Sequence, residues 1–200
     1  MLALTMSTAI EIVPYRTSWA AEFTAIRDRL ALALSTSALR IEHVGSTSVT
    51  GLAAKDVIDV QISVANLDHH VGQALRLAGL RAEPEITRDH APPGASGSAD
   101  DWRKLFFVEG AGERRANIHV RRAGSPNERY ALLFRDYLRA NPLVAVAYAE
   151  LKRRLSASLA VADDYADVKD PAVDLIYLAA EQWALATSWV LIPSLVHREA

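Results

Sequence analysis

Polar and apolar residues alternate strictly along one short run, with Asp59, Gln61 and Ser63 set against Val60, Ile62 and Val64. Strand side chains point alternately to opposite faces, so residues 57–64 predict a strand with one face for packing and one for chemistry. The pattern recurs where Asn117, His119 and Arg121 flank Ile118 and Val120. If these strands are neighbours, their polar faces meet. Residues 39–44 read as a third strand and 10–13 as a short one stopped by Pro14. Residues 102–108 and 116–120, joined by GAGERR, suit a hairpin.

Helical spacing takes over elsewhere. Thr17 and Ser18 offer hydroxyl caps for a helix carrying Trp19, Phe23, Ile26, Leu30 and Leu34. Asn66 or Asp68 caps a second helix reaching Leu80. Residues 91–98, APPGASGS, hold too much Pro, Gly and Ser for regular structure and predict a mobile loop. After Pro126 the chain reads as helices over 127–140, 142–160 and 171–188, with Pro142 and Pro171 as first-turn prolines. The expected fold is α/β, or α+β: a sheet-containing core over about residues 10–125, with a helical part over about 126–188 packed on it. No repeat or linker divides the 200 residues, so one domain is expected.

Composition narrows the function. The chain carries 22 basic and 24 acidic residues, a formal charge of -2, and so offers no global positive field for a nucleic acid. It has no cysteine, which excludes disulfides and thiolate chemistry and fits a cytoplasmic location. The opening MLALTMSTAIEIV lacks the features of a secretory signal. The apolar stretch 172–190 is interrupted by Asp174, Glu181 and Gln182, which argues for a core helix rather than a membrane span.

Candidate chemistry concentrates between His43 and Asp59, in HVGSTSVTGLAAKDVID. Small residues from Gly45 through Ser48, Ser46 and Thr47 among them, let the backbone approach a ligand, and their N–H and hydroxyl groups donate to phosphate oxygens. The loop is not a Walker A motif, because five residues separate Gly45 from Gly51 and Leu52 stands where the lysine is required. No Gly-x-Ser-x-Gly or HExxH pattern is present. Adjacent His69 and His70 should point their rings in different directions on a helix surface. Lys55 is a candidate phosphate contact, as are Arg135 and Arg139, which are i, i+4 neighbours. Asp136 beside those arginines offers surface pairing instead.

The run IEHVGSTSVTGLAAKDVIDV, with SPNERYALLFRDYLRANP, Tyr148, Leu151-Lys152 and the later Tyr165 and Lys169, resembles the GrpB family of bacterial proteins. The resemblance runs from about Ile10 to Trp183. It implies a nucleotidyltransferase-like fold: a mixed sheet with flanking helices, a Gly-Ser loop for a triphosphate and a nearby strand bearing acidic metal ligands. It also implies likeness to a region fused behind dephospho-CoA kinase in some bacteria, and it adds Lys152 and Lys169 as phosphate contacts. The match departs at Thr50 and Asp56, which stand where that pattern has prolines. Gln61 stands where the second of two paired acids is expected.

Nucleotidyl transfer uses divalent cations to neutralise phosphate and activate the attacking oxygen. Asp59 with substrate phosphates is then expected to hold Mg or Mn. Glu42, His43 and His119 are the candidates to complete the site, with His119 on the face of a third acid, as ligand or general base. The leading expectation is a metal-dependent site for a nucleoside triphosphate or other phosphorylated small molecule, acting on an unknown acceptor. A non-catalytic nucleotide- or CoA-precursor-binding module is the first alternative, motivated by Gln61. An interaction domain using WVLIPSLV, residues 189–196, is the second.

Overall fold

A computed structural model describes residues 10–159 and 162–191. Helix α1 spans Ser18–Leu34, followed by strand β1 at Ala38–Val44 and strand β2 at Ile58–Val64. Helix α2, His69–Leu77, leads to the two-residue edge strand β3, Arg81–Ala82. Strands β4, Lys104–Val108, and β5, Ala116–Arg122, form the hairpin the pattern predicted. Helices α3, Pro126–Ala140, α4, Pro142–Ser158, and α5, Ala162–Thr187, complete the described chain.

The five strands lie in the order β1-β2-β5-β4-β3, and only the β2–β5 pair is parallel. That pairing sets Asp59 beside Asn117, Gln61 beside His119 and Ser63 beside Arg121. The two alternating runs therefore join their polar faces, as the sequence pattern requires. Their apolar residues, including Ile58, Val60, Ile62, Ile118 and Val120, build one core with Trp19, Ile26 and Leu30 of α1 and with Val71 and Leu75 of α2. A second core forms where Leu133 and Leu138 of α3, Ala145 and Tyr148 of α4, and Tyr177 and Ala180 of α5 enclose Val49, Leu52 and Ala53. The polar sheet face ends up between sheet and helices.

Four local expectations are revised. Residues 10–13 make no strand: Val13 forms a single bridge to Ala54, and Pro14 has no N–H to extend a ladder. Pro171 lies inside α5, because that helix begins nine residues earlier, at Ala162. The α2 helix ends at Leu77 rather than Leu80, and Asp68 is its cap, accepting from Val71 N at 3.1 Å. His69 and His70 are exposed as expected, but their rings pack together, with centroids 3.8 Å apart, rather than diverging.

Trp189, the first residue of the apolar tail, packs on the second core, and its Nε1 donates to Asp136 Oδ2 at 3.1 Å. Residues 192–196 lie outside the described residues. No helix among the described residues is long and apolar enough to cross a membrane.

Candidate phosphate-binding cleft around Asp59

At the end of β1 the chain turns into a short 3-10 turn, Ser46–Ser48, held against the start of β2. Gly45 makes this turn with φ 68, a left-handed conformation that strongly favours glycine. A Cβ there would sit 2.9 Å from Asp59 Cγ, closer than carbon atoms approach. The loop backbone is thus laid directly on the Asp59 carboxylate. Ser48 Oγ closes the turn by donating to Gly45 O at 2.6 Å. Arg139 fixes it from outside, with Nε and Nη2 donating to Ser48 O at 3.1 and 2.8 Å.

Two adjoining cavities meet at Asp59. The first, about 230 Å³, is bounded by Ser46, Thr47, Lys55, Asn117, Lys152 and Lys169. The second, about 290 Å³, runs past Gly45, Asp89, His90, His119 and Tyr130. Ser46, Asp59, Tyr148 and Lys169 border both. Asp59 has 28% of its side chain open to this space. Asn117 Nδ2 donates to Asp59 Oδ1 at 2.9 Å, while His119 Nε2 lies 3.8 Å from the same oxygen. Burial opposes ionisation of Asp59, but His119, Asn117 and the Lys169 charge outweigh it and hold the carboxyl below its ordinary value.

The cations differ in their partners. Lys152 is buried, and its Nζ donates to Ser46 Oγ at 2.8 Å and Ala53 O at 2.6 Å, 4.7 Å from the Tyr148 ring centre. Burial and the neighbouring Lys169 charge pull its pKa down to about 7, although Asp59 acts the other way. Lys55 sits 4.3 Å from the centre of the Tyr165 ring, and burial lowers its pKa as well. Lys169 lies 3.7 Å from Asp170. No carboxylate within ion-pairing distance of Lys55 or Lys152 is present among the described residues.

The structure thus gathers Gly45, Ser46, Thr47, Lys55, Asp59, His119, Lys152 and Lys169 around the joined cavities. It places four other candidates elsewhere. His43 pairs with Val60 in the β1–β2 register and so lies on the apolar sheet face, stacked on Phe23, with Nε2 3.0 Å from Thr47 Oγ1. Burial lowers its pKa to about 4. Arg135 serves Glu42 Oε2 at 2.8 Å and His43 O at 3.1 Å, and with Arg139 it braces the loop from outside the two cavities. Glu42 is accordingly taken by an ion pair.

The donor set does not fit a two-ion centre. Gln61, in the place of a second acid, is buried with both ends used: Oε1 accepts from Arg121 Nη1 at 2.6 Å, and Nε2 donates to Glu128 O at 3.2 Å. His119 is occupied at Nδ1, which lies 3.3 Å from Lys104 Nζ. Among the described residues no three His, Asp or Glu side chains are grouped to hold a metal. Among the paired polar residues of β2 and β5, Asp59 is left as the acid able to offer an oxygen.

Sequence reasoning missed Asp89, which sits in the loop between β3 and β4. Its carboxylate takes Lys104 Nζ at 2.7 Å, Arg121 Nε and Nη2 at 2.8 and 2.9 Å, and Asn127 Nδ2 at 3.0 Å. Burial opposes its ionisation, but Arg121 and Lys104 hold its carboxyl far below the usual range. Asp56 Oδ1 accepts a hydrogen bond from Trp19 Nε1 at 2.9 Å, and its carboxylate pairs with Arg16 and Arg114.

Fold and cleft together define a mixed-sheet α+β protein whose polar sheet face is enclosed between sheet and helices. The chain belongs to the GrpB family, whose model, described as GrpB protein, matches residues 9–178. It is 35% identical over 196 residues to a dephospho-CoA kinase of Mycobacterium tuberculosis, covering 89% of this chain and 47% of that protein. It is 34% identical over 148 residues to the UPF0157 protein YqkA of Bacillus subtilis, covering 74% of this chain and 40% of that one. The chain spans about half the length of the dephospho-CoA kinases it matches. The crystal structure of the conserved protein GrpB from Enterococcus faecalis superposes with a TM-score of 0.71 at 27% identity, covering 86% of this chain and 99% of that one.

Proposed function

We propose that the cleft binds a nucleoside triphosphate or a related phosphorylated small molecule, and that the chain is a nucleotidyltransferase homologue acting on an unknown acceptor. The observation that carries this reading is the Gly45–Ser46 turn laid on Asp59, with Lys152 bonded to Ser46 and Lys55 and Lys169 beside it. A loop of small residues backed by Lys55 and Lys152, which have no acidic partner among the described residues, and by Lys169 beside Asp170, is a receptor for phosphate oxygens. Asp59 is the residue that would hold one Mg or Mn ion, and such an ion would neutralise phosphate charge. Ser46 and the lysines orient the phosphates, while the enclosing helices limit water.

A second reading has its own support: Gln61 is locked to Arg121 where another acid would be needed, which favours a module that binds nucleotide or a CoA precursor without transferring it. Thermal unfolding of wild type and Asp59→Ala with nucleoside triphosphates and CoA precursors, each with and without Mg or Mn, tests the site. A ligand at about 100 times its dissociation constant adds ~2.7 kcal/mol, or roughly 5–10 °C for a chain of this size. A shift needing both metal and Asp59 is expected. Equal shifts in both proteins would sink the Asp59 assignment, and a metal-independent shift without any modified product would favour the binding module.

A further inference from the structure

We infer that Lys104 and Asp89 are positioning residues that fix His119 in one tautomer, with the proton on Nε2 and the lone pair on Nδ1. Lys104 Nζ lies 2.7 Å from Asp89 Oδ1 and 3.3 Å from His119 Nδ1. Paired with that carboxylate, Lys104 is an ammonium with three protons and no lone pair, so the interaction with His119 requires Nδ1 to accept. A neutral imidazole carries one proton, which must then reside on Nε2, the nitrogen 3.8 Å from Asp59 Oδ1.

The ammonium cannot swing away cheaply. Asp89 is itself held by Arg121, whose guanidinium also donates to Gln61, and by Asn127. Phe106 packs on the His119 ring, with centroids 4.9 Å apart. Removing one member of such a buried charge pair leaves its partner uncompensated, so the arrangement is held as a unit.

The consequence concerns the sheet face where nucleotidyltransferase chemistry would call for a third acid. There this chain presents a neutral N–H donor directed to the Asp59 region, not a metal ligand and not a base: Nε2 already holds its proton, and Nδ1 is spent on Lys104. On the proposed reading that ligand phosphates gather at Asp59, His119 donates to a phosphate oxygen in the cleft. That last step rests on the phosphate-site proposal, whereas the tautomer does not.

Long-range proton–nitrogen spectra of the full chain labelled at histidine nitrogen test it without any nucleotide, so a failed nucleotide screen leaves the result readable. His119 is assigned among the six histidines by the signals lost in His119→Gln. The expected pattern is a protonated Nε2 and an unprotonated Nδ1, with a coupling from Nδ1 to the Lys104 ammonium. Lys104→Arg should preserve the tautomer, and Lys104→Met should move both nitrogens toward tautomer-averaged positions. A wild-type signal showing protonated Nδ1, an Nε2 that loses its proton when Zn is added, or a Lys104→Met spectrum identical to wild type would overturn the proposal. If Lys104→Met does not fold, the wild-type tautomer and its coupling to Lys104 decide the matter.

Discussion

Two groups of buried charge flank Asp59, and they are built on opposite rules. Around Asp89 every cation has an anion: Lys104 and Arg121 converge on one carboxylate, and the spare guanidinium proton of Arg121 goes to Gln61. Across the cleft Lys152 is as deeply buried, but among the described residues it donates only to a serine hydroxyl and a backbone carbonyl. Burying an unmatched charge is costly, and the cost appears as the lowered pKa of Lys152. Paired charge holds a structure in place, whereas on the proposed reading a charge kept without a partner is there for an anionic ligand.

Breaking the paired group should give the largest effect. Asp89→Ala strands Lys104 and Arg121 in the interior, for an expected loss of about 3–5 kcal/mol in urea unfolding at neutral pH. The same interaction should vanish in acid. A carboxyl with a depressed folded pKa contributes stability above the ordinary carboxylate range and loses it as pH falls through and below that range. The gap between wild type and variant therefore narrows below about pH 4. A variant as stable as wild type at pH 7 would show that Asp89 does not anchor the network.

Substituting the unpaired cation should reverse the balance between stability and binding. Lys152→Met removes a costly desolvated ammonium together with its two hydrogen bonds to neutral acceptors, and the two terms offset, so its stability should change by less than about 1.5 kcal/mol. Its affinity for triphosphate should fall roughly 10- to 100-fold, as expected for one charge-assisted contact. Calorimetric titration with tripolyphosphate checks this, and undiminished affinity would remove Lys152 from the phosphate site.

The contrast also explains what the sequence could reveal. The alternation around Asp59 and His119 survives into the structure because a strand sorts side chains by parity, and the parallel β2–β5 register then unites the polar sets. The same parity counts against His43, one residue off the polar face, although its place on a strand bordering Asp59 had made it a candidate. Asp89 was invisible because it lies in an irregular loop and binds residues up to 38 positions away. Lys152 was half legible. It stands in a basic run with Arg153 and Arg154, yet it shares a helix face with Ala145, Tyr148 and Ala149, while both arginines are exposed and paired with Glu150. Residues adjacent on a helix point about 100° apart, so the apolar spacing was the better guide.

The smallest effect expected is a fraction of one proton, and it sharpens the same contrast. Lys152 has a folded pKa of about 7 against the ordinary lysine value of 10.5. Below pH 7 it is charged in both folded and unfolded chains, whereas between about 7 and 10.5 the unfolded chain alone keeps the proton. Stability arising from this group therefore increases with pH through that window. An incoming phosphate restores the missing partner and raises the pKa, so binding takes up a proton there and weakens as pH rises. Titrations with tripolyphosphate at pH 8, in buffers of different ionisation enthalpy, should show wild type taking up more protons than Lys152→Met, by less than one. Equal uptake in the two proteins would mean that phosphate does not settle on Lys152.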